Sequence, residues 1–100
     1  MAQQAPPEII TVKPGAIAAF DIGGQRVAVA NVDGTRYAFD DACTHRQCSL
    51  AKGRLSGTTV TCECHGSQFD VRTGNVLRGP ATQPVRTYQI DPAGTVRVDG

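Results

Sequence analysis

Two short segments hold every cysteine and both histidines of this 100-residue chain. They are Cys43-Thr44-His45-Arg46-Gln47-Cys48 and Cys62-Glu63-Cys64-His65-Gly66-Ser67. Thiolate and imidazole are side chains that hold soft and borderline transition metals. Two such loops set side by side present what a metal centre bridging two strands requires. Zinc sites usually place paired thiols and paired imidazoles at short, regular spacings around one tetrahedral ion. Here one loop reads Cys-x-His and the other Cys-x-x-His. A zinc ribbon variant using some of these residues is one competing reading. Inert buried thiols beside two incidental histidines are another, since unbridged cysteine packs as a small hydrophobe.

The elements that must position these loops read as strands. Hydrophobic residues at 40% and charged residues at 19% describe a chain that folds, and its length allows one domain. The pattern predicts strands over Glu8–Val12, Ala16–Phe20, Gln25–Val32 and Thr35–Phe39. The near-continuous apolar run around Val27, Val29 and Val32 predicts a strand buried on both faces. Asp33-Gly34 predicts a type I′ hairpin turn, and Tyr37 and Phe39 should share one face by period two. A hairpin containing Gly53, Gly57 and the strand Thr58–Thr61 is expected between the two segments. Val85–Ile90 and Thr95–Val98 should pair across Asp91-Pro92-Ala93-Gly94. No stretch of ten residues has helical periodicity, although Ser49–Lys52 suits a single turn. Five aromatics and no tryptophan make a modest core, and small domains with such cores often recruit a metal or a disulfide. The long irregular middle, about 40–84, needs something to pin it.

The set Cys-x-His and Cys-x-x-His, with Gly66-Ser67 and the later Gly79-Pro80-Ala81, resembles the Rieske [2Fe–2S] family. The motif region, about 41–84, covers nearly half the chain; the flanking strands match only as generic β segments. The resemblance implies that Cys43 and Cys62 hold one iron and that His45 and His65 hold the other. It also implies an all-β, Rieske-like fold: an antiparallel β base with a small cluster-binding lobe. Residues 8–100 would form this single domain, with 1–7 as a disordered tail. Cys48 and Cys64 stand where high-potential members of the family carry a disulfide between the cluster loops. Ser67 matches a serine whose hydroxyl bonds a bridging sulfide, Gly66 precedes it, and Pro80 sits in the loop that covers the cluster. Phe69 departs from the tyrosine of high-potential members and is read as core packing.

The implied cofactor is a Rieske-type [2Fe–2S] cluster, and the implied role is one-electron transfer. With two neutral imidazoles the oxidised centre is formally uncharged, so an added electron costs less than at an all-cysteine centre. Exposed imidazole edges would give the electron an exit and make the potential depend on pH. The expected partners are a reductase and a terminal oxygenase or similar acceptor. The alternative is a high-potential subunit, or a domain, of a quinol- or arsenite-oxidising complex. A non-redox module with a zinc or empty site is the third reading. An enzyme in its own right is not expected, because no nucleophile–base pair or nucleotide-binding glycine loop is present.

The formal charge of +1 gives no reason to propose nucleic acid or anionic lipid as the main partner. Arg46, Gln47, Lys52, Arg54, Arg72 and Arg78 gather in the motif region, either as a solvated rim or as a docking patch for an acidic redox partner. The first seven residues lack a basic and apolar leader, and no apolar run approaches membrane-helix length. A soluble, cytoplasmic protein without a membrane anchor is therefore expected.

Overall fold

The computed structural model describes residues 12–44, 48–64, 66–90 and 96–97. Two antiparallel sheets account for the strands among them. Strands β1 (Ile17–Ile22), β2 (Gln25–Val32) and β3 (Thr35–Asp40) run as a meander. A single 3-10 turn at Leu50–Lys52 leads into β4 (Arg54–Ser56), β5 (Thr59–Thr61), β6 (Gln68–Asp70) and β7 (Val76–Arg78). The chain then returns through β8 (Thr87–Ile90) and β9 (Val96–Arg97). The larger sheet has the order β1-β2-β3-β8-β9, and the smaller one β4-β5-β6-β7. The small sheet is thus inserted between β3 and β8, which pair across the insertion as Ala38↔Tyr88 and Phe39↔Thr87.

Strand β2 divides the apolar interior. Val27 and Val29 pack on one side with Ala38, Tyr88 and Val96. Ala28 and Ala30 pack on the other with Phe39, Val60, Phe69 and Val71, which joins the two sheets. Alternation along an extended chain produces this split, and it explains why β2 is apolar at successive positions. The Asp33-Gly34 turn has both central residues at positive φ, 52° and 94°, as a type I′ turn requires. The Asn31 side chain reinforces it by accepting from the Gly34 N–H at 2.8 Å and donating to the Val12 carbonyl at 2.6 Å.

Several boundaries differ from those the sequence suggests. β1 runs on through Asp21 and Ile22, because Gly23 and Gly24 supply a second tight turn with both residues at positive φ. Strands β4, β6 and β7 have only three residues each, too short to show periodicity. A turn built on Asp70 joins β6 to β7. Its carboxylate accepts two bonds from the Arg72 guanidinium, at 3.1 and 2.9 Å, and its backbone carbonyl accepts from the Gly74 N–H at 2.7 Å. The expected strand over Glu8–Val12 reaches the described residues only at Val12, which is buried but outside a strand. The Asp91–Gly94 connection and the 1–7 tail lie outside the described residues.

Candidate metal centre

Both cysteine-bearing loops are closed at the base in the same way. In the first, Ala42 pairs with Ser49 and the Cys43 N–H donates to the Cys48 carbonyl at 2.8 Å. In the second, Thr61 pairs with Gln68 and the Cys62 N–H donates to the Ser67 carbonyl, also at 2.8 Å. Each loop therefore spans six residues, opens on a cysteine and closes on a backbone bond to its last residue. Gly66 takes φ 80° just before the second loop closes, a conformation that costs other residues steric strain.

This repeated geometry sorts the four cysteines into two pairs. Cys48 and Cys64 form a disulfide between the loops, with Cα atoms 6.5 Å apart. Cys43 and Cys62 are buried, stand outside that bridge and belong to one apolar cluster. The Cys62 sulfur and the sulfurs of Cys48 and Cys64 all lie within 4.8 Å of one another. Cys48 is half-buried and Cys64 exposed, so the bridge lies nearer solvent than the two thiols. His45, Arg46, Gln47 and His65 lie outside the described residues, and their sequence assignment rests on the motif.

A third segment, about 79–84, packs against both loops. Ser67, only 1% exposed, accepts a hydrogen bond from the buried Ala81 N–H at 3.0 Å. Thr44 donates to the Gln83 carbonyl at 2.7 Å. Pro80 itself is exposed. Two groups take positioning roles that the motif does not assign. Thr44 fastens the first loop to the third segment. Asp41, buried at the base of the first loop, accepts from the Ala51 N–H at 2.8 Å and faces Arg26 of β2 at 3.8 Å. A carboxylate one position before Ala42-Cys43 is an ordinary local pattern, so only the tertiary contact identifies its task. Phe69 is fully buried between the sheets, as its reading as core packing requires.

The donor set suits an iron–sulfur centre. Thiolates are preferred ligands of such clusters, and two buried thiols come one from each of two matching loops. The disulfide removes the other two cysteines from competition as ligands. What the remaining pair lacks in number, the two histidines of the same loops can supply.

The model of the Rieske [2Fe-2S] domain family matches residues 7–89. The biphenyl dioxygenase ferredoxin subunit of Pseudomonas sp. (strain KKS102) is 41% identical over 79% of this chain and 73% of its own length. The ferredoxin of carbazole 1,9a-dioxygenase from Nocardioides aromaticivorans IC177 superposes with a TM-score of 0.83 at 32% identity, covering 92% of this chain and 94% of that one. A ferredoxin solved in complex with the oxygenase of carbazole 1,9a-dioxygenase gives a TM-score of 0.77 at 32% identity, covering 94% and 98%.

The chain belongs to the Rieske [2Fe–2S] domain family. Its cofactor is a Rieske-type [2Fe–2S] cluster, and it is an electron carrier of the ferredoxin type rather than a catalyst in its own right. Among the described residues no helix is long and apolar enough to cross a membrane.

Proposed function

We propose that this chain carries single electrons from a reductase to a ring-hydroxylating oxygenase or a similar acceptor, and does so in the cytoplasm. Its ligands are Cys43 and Cys62 on one iron and His45 and His65 on the other. The observation that carries the ligand assignment is the pairing of two matching loops: each contributes one buried cysteine outside the disulfide and one histidine at the family's spacing. The partner assignment is supported by likeness to ferredoxin subunits of dioxygenase systems. When bound, the cluster supplies a reversible one-electron couple. The chain's own residues exclude water from the thiol side, clamp the loops through Cys48–Cys64 and tie the third segment down through Ser67 and Thr44.

Iron and acid-labile sulfide analysis, with EPR of the reduced protein, tests the ligand set. Alanine at Cys43, His45, Cys62 or His65 should abolish the reduced-cluster signal, while alanine at both Cys48 and Cys64 should retain it. A cluster that survives His65→Ala would overturn the assignment. A second reading, a high-potential subunit of a larger oxidising complex, is favoured by the disulfide and by buried Ser67. Potentiometric titration separates the two within the span of about −150 to +300 mV for such centres. A value near the bottom supports the oxygenase ferredoxin, and one well above zero the alternative. Cell fractionation that places the chain with membranes would overturn the cytoplasmic assignment.

A further inference from the structure

The small sheet has one face in the core and one turned away from it. Leu55, Val60, Phe69 and Val76 pair across the four strands and join the apolar cluster. One step along each strand, Arg54 pairs with Thr61, Thr61 with Gln68, and Gln68 with Arg78. Directly paired residues share a face, and neighbours along a strand alternate. The row Arg54–Thr61–Gln68–Arg78 is therefore the outer face. It lies immediately below the second cysteine loop, since Cys62 follows Thr61 and Ser67 precedes Gln68. Gln68 donates to the Thr61 hydroxyl at 3.1 Å and joins the middle of the row.

Three further features stand on this face or at its β7 edge. The register shifts at Gln68/Phe69, which leaves Leu77 as an extra residue between Val76 and Arg78. Leu77 is 53% exposed and is the one exposed large hydrophobic among the described residues. Such bulges commonly re-aim a side chain at a sheet edge. An open groove of about 670 Å³ runs over the same face, lined by Lys52, Arg54, Thr61 and Gln68, and reaches Cys62 and Glu63 at the loop. Lys52, Arg54 and Arg78 are exposed and form no ion pair among the described residues. The lobe's buried acids, Asp41 and Asp70, already face Arg26 and Arg72, so among the lobe's described residues Glu63 is the one other carboxylate, and it lines the groove with Lys52 and Arg54.

We propose that the outer face of the small sheet is a docking surface for an acidic protein partner, with Lys52, Arg54 and Arg78 opposing carboxylates and Leu77 supplying an apolar contact. This rests on the electron-carrier reading and names the chemistry of the partner that reading requires. Opposite charge raises the encounter rate, which suits the brief contacts of electron transfer. Placement beside the Cys62 loop brings the partner next to one of the two loops that hold the centre.

The test is fluorescence anisotropy of a dye-labelled hexaglutamate peptide with the cluster-loaded protein at low ionic strength. Charge reversal at K52E/R54E/R78E should weaken binding by on the order of tenfold or more. K13E, at an exposed site on the base, should change it little. High salt should erase the difference, because exposed charges are then screened. Equal loss in K13E, no binding by the unaltered protein, or stronger binding of a single-stranded oligonucleotide of equal charge would each overturn the proposal. The electron-carrier reading is scored separately, by the reduced-cluster EPR signal. Peptide binding lost with that signal intact counts against this face alone; a missing signal with binding intact counts against the carrier reading alone.

Discussion

Replacing Cys48 and Cys64 together by alanine removes the only covalent tie between the two loops among the described residues. The bridge joins residues separated by 16 positions. Closing a loop of that size removes conformational entropy from the unfolded chain worth about 3 kcal/mol at 25 °C. Little packing is lost with it, since Cys48 is half-buried and Cys64 exposed. The backbone bonds that shape each tip, Cys43 to Cys48 and Cys62 to Ser67, lie within single loops and do not replace a link between them. About 3 kcal/mol is more than ~100-fold in the unfolding constant. For a domain of this length it lowers the melting temperature by roughly 12–24 °C. The assay is thermal unfolding of the cluster-loaded C48A/C64A protein against the unaltered one at matched scan rate, with far-UV circular dichroism confirming that both sheets persist below the transition. A loss under about 1 kcal/mol, or ~5 °C, would refute the chain-entropy account and assign the clamp to the metal centre instead.

Ser67→Ala leaves the buried Ala81 N–H without its acceptor, which should cost about 1–3 kcal/mol and speed hydrogen exchange at that amide; the potential should also fall if the hydroxyl donates to a cluster sulfur. Unchanged exchange at Ala81 would contradict the first part. Burial and the hydrogen bond to Asp40 raise the Tyr88 pKa to about 12. The folded chain then holds this proton where the unfolded chain releases it, so stability is full below the ordinary tyrosine value near 10 and declines as pH rises towards 12. Denaturant titrations at pH 9 and 11.5 should show that decline, and Tyr88→Phe should remove it. The Arg72 hydrogen bonds hold the Asp70 carboxyl below its usual range. Their stabilisation is present above the unfolded carboxylate value and lost as pH falls through the lowered one. The stability gap between the unaltered protein and Arg72→Gln should accordingly close in strong acid; a gap constant from pH 7 to 2 would refute the link. Gly74→Ala should destabilise the β6–β7 turn by at least about 1–2 kcal/mol, since Gly74 sits at φ 81°. An added methyl there also meets the Val85 carbonyl oxygen. A melting temperature unchanged by this substitution would count against the close approach.

Local rules were legible in the sequence where each residue's immediate neighbours settle its conformation. The Asp33-Gly34 turn, the doubly buried β2 and the shared face of Tyr37 and Phe39 follow from φ preferences and period two, and the structure has each of them. The candidate ligand types and their spacing were equally plain, because metal chemistry restricts donors to a few side chains. Of the three-residue strands, β5 was legible within Thr58–Thr61, but β4, β6 and β7 were not. β6 and β7 exist because β5 and the Asp70–Arg72 turn hold them in register, and no local pattern that short distinguishes a strand from a loop. Composition alone also could not pair four cysteines. The resemblance to high-potential members already set Cys48 against Cys64; the structure has that bridge and leaves Cys43 and Cys62 buried outside it. Asp41 and Thr44 look like ordinary polar loop residues until the fold brings Arg26 and Gln83 to them from distant parts of the chain. The cationic row needs four strands in register before Arg54 and Arg78, far apart in sequence, share one face. What the sequence determined by itself was the chemistry available and the local bends of the chain. Which groups meet was decided by tertiary pairing, because contacts between distant segments depend on the register of whole sheets and not on any residue's own preference.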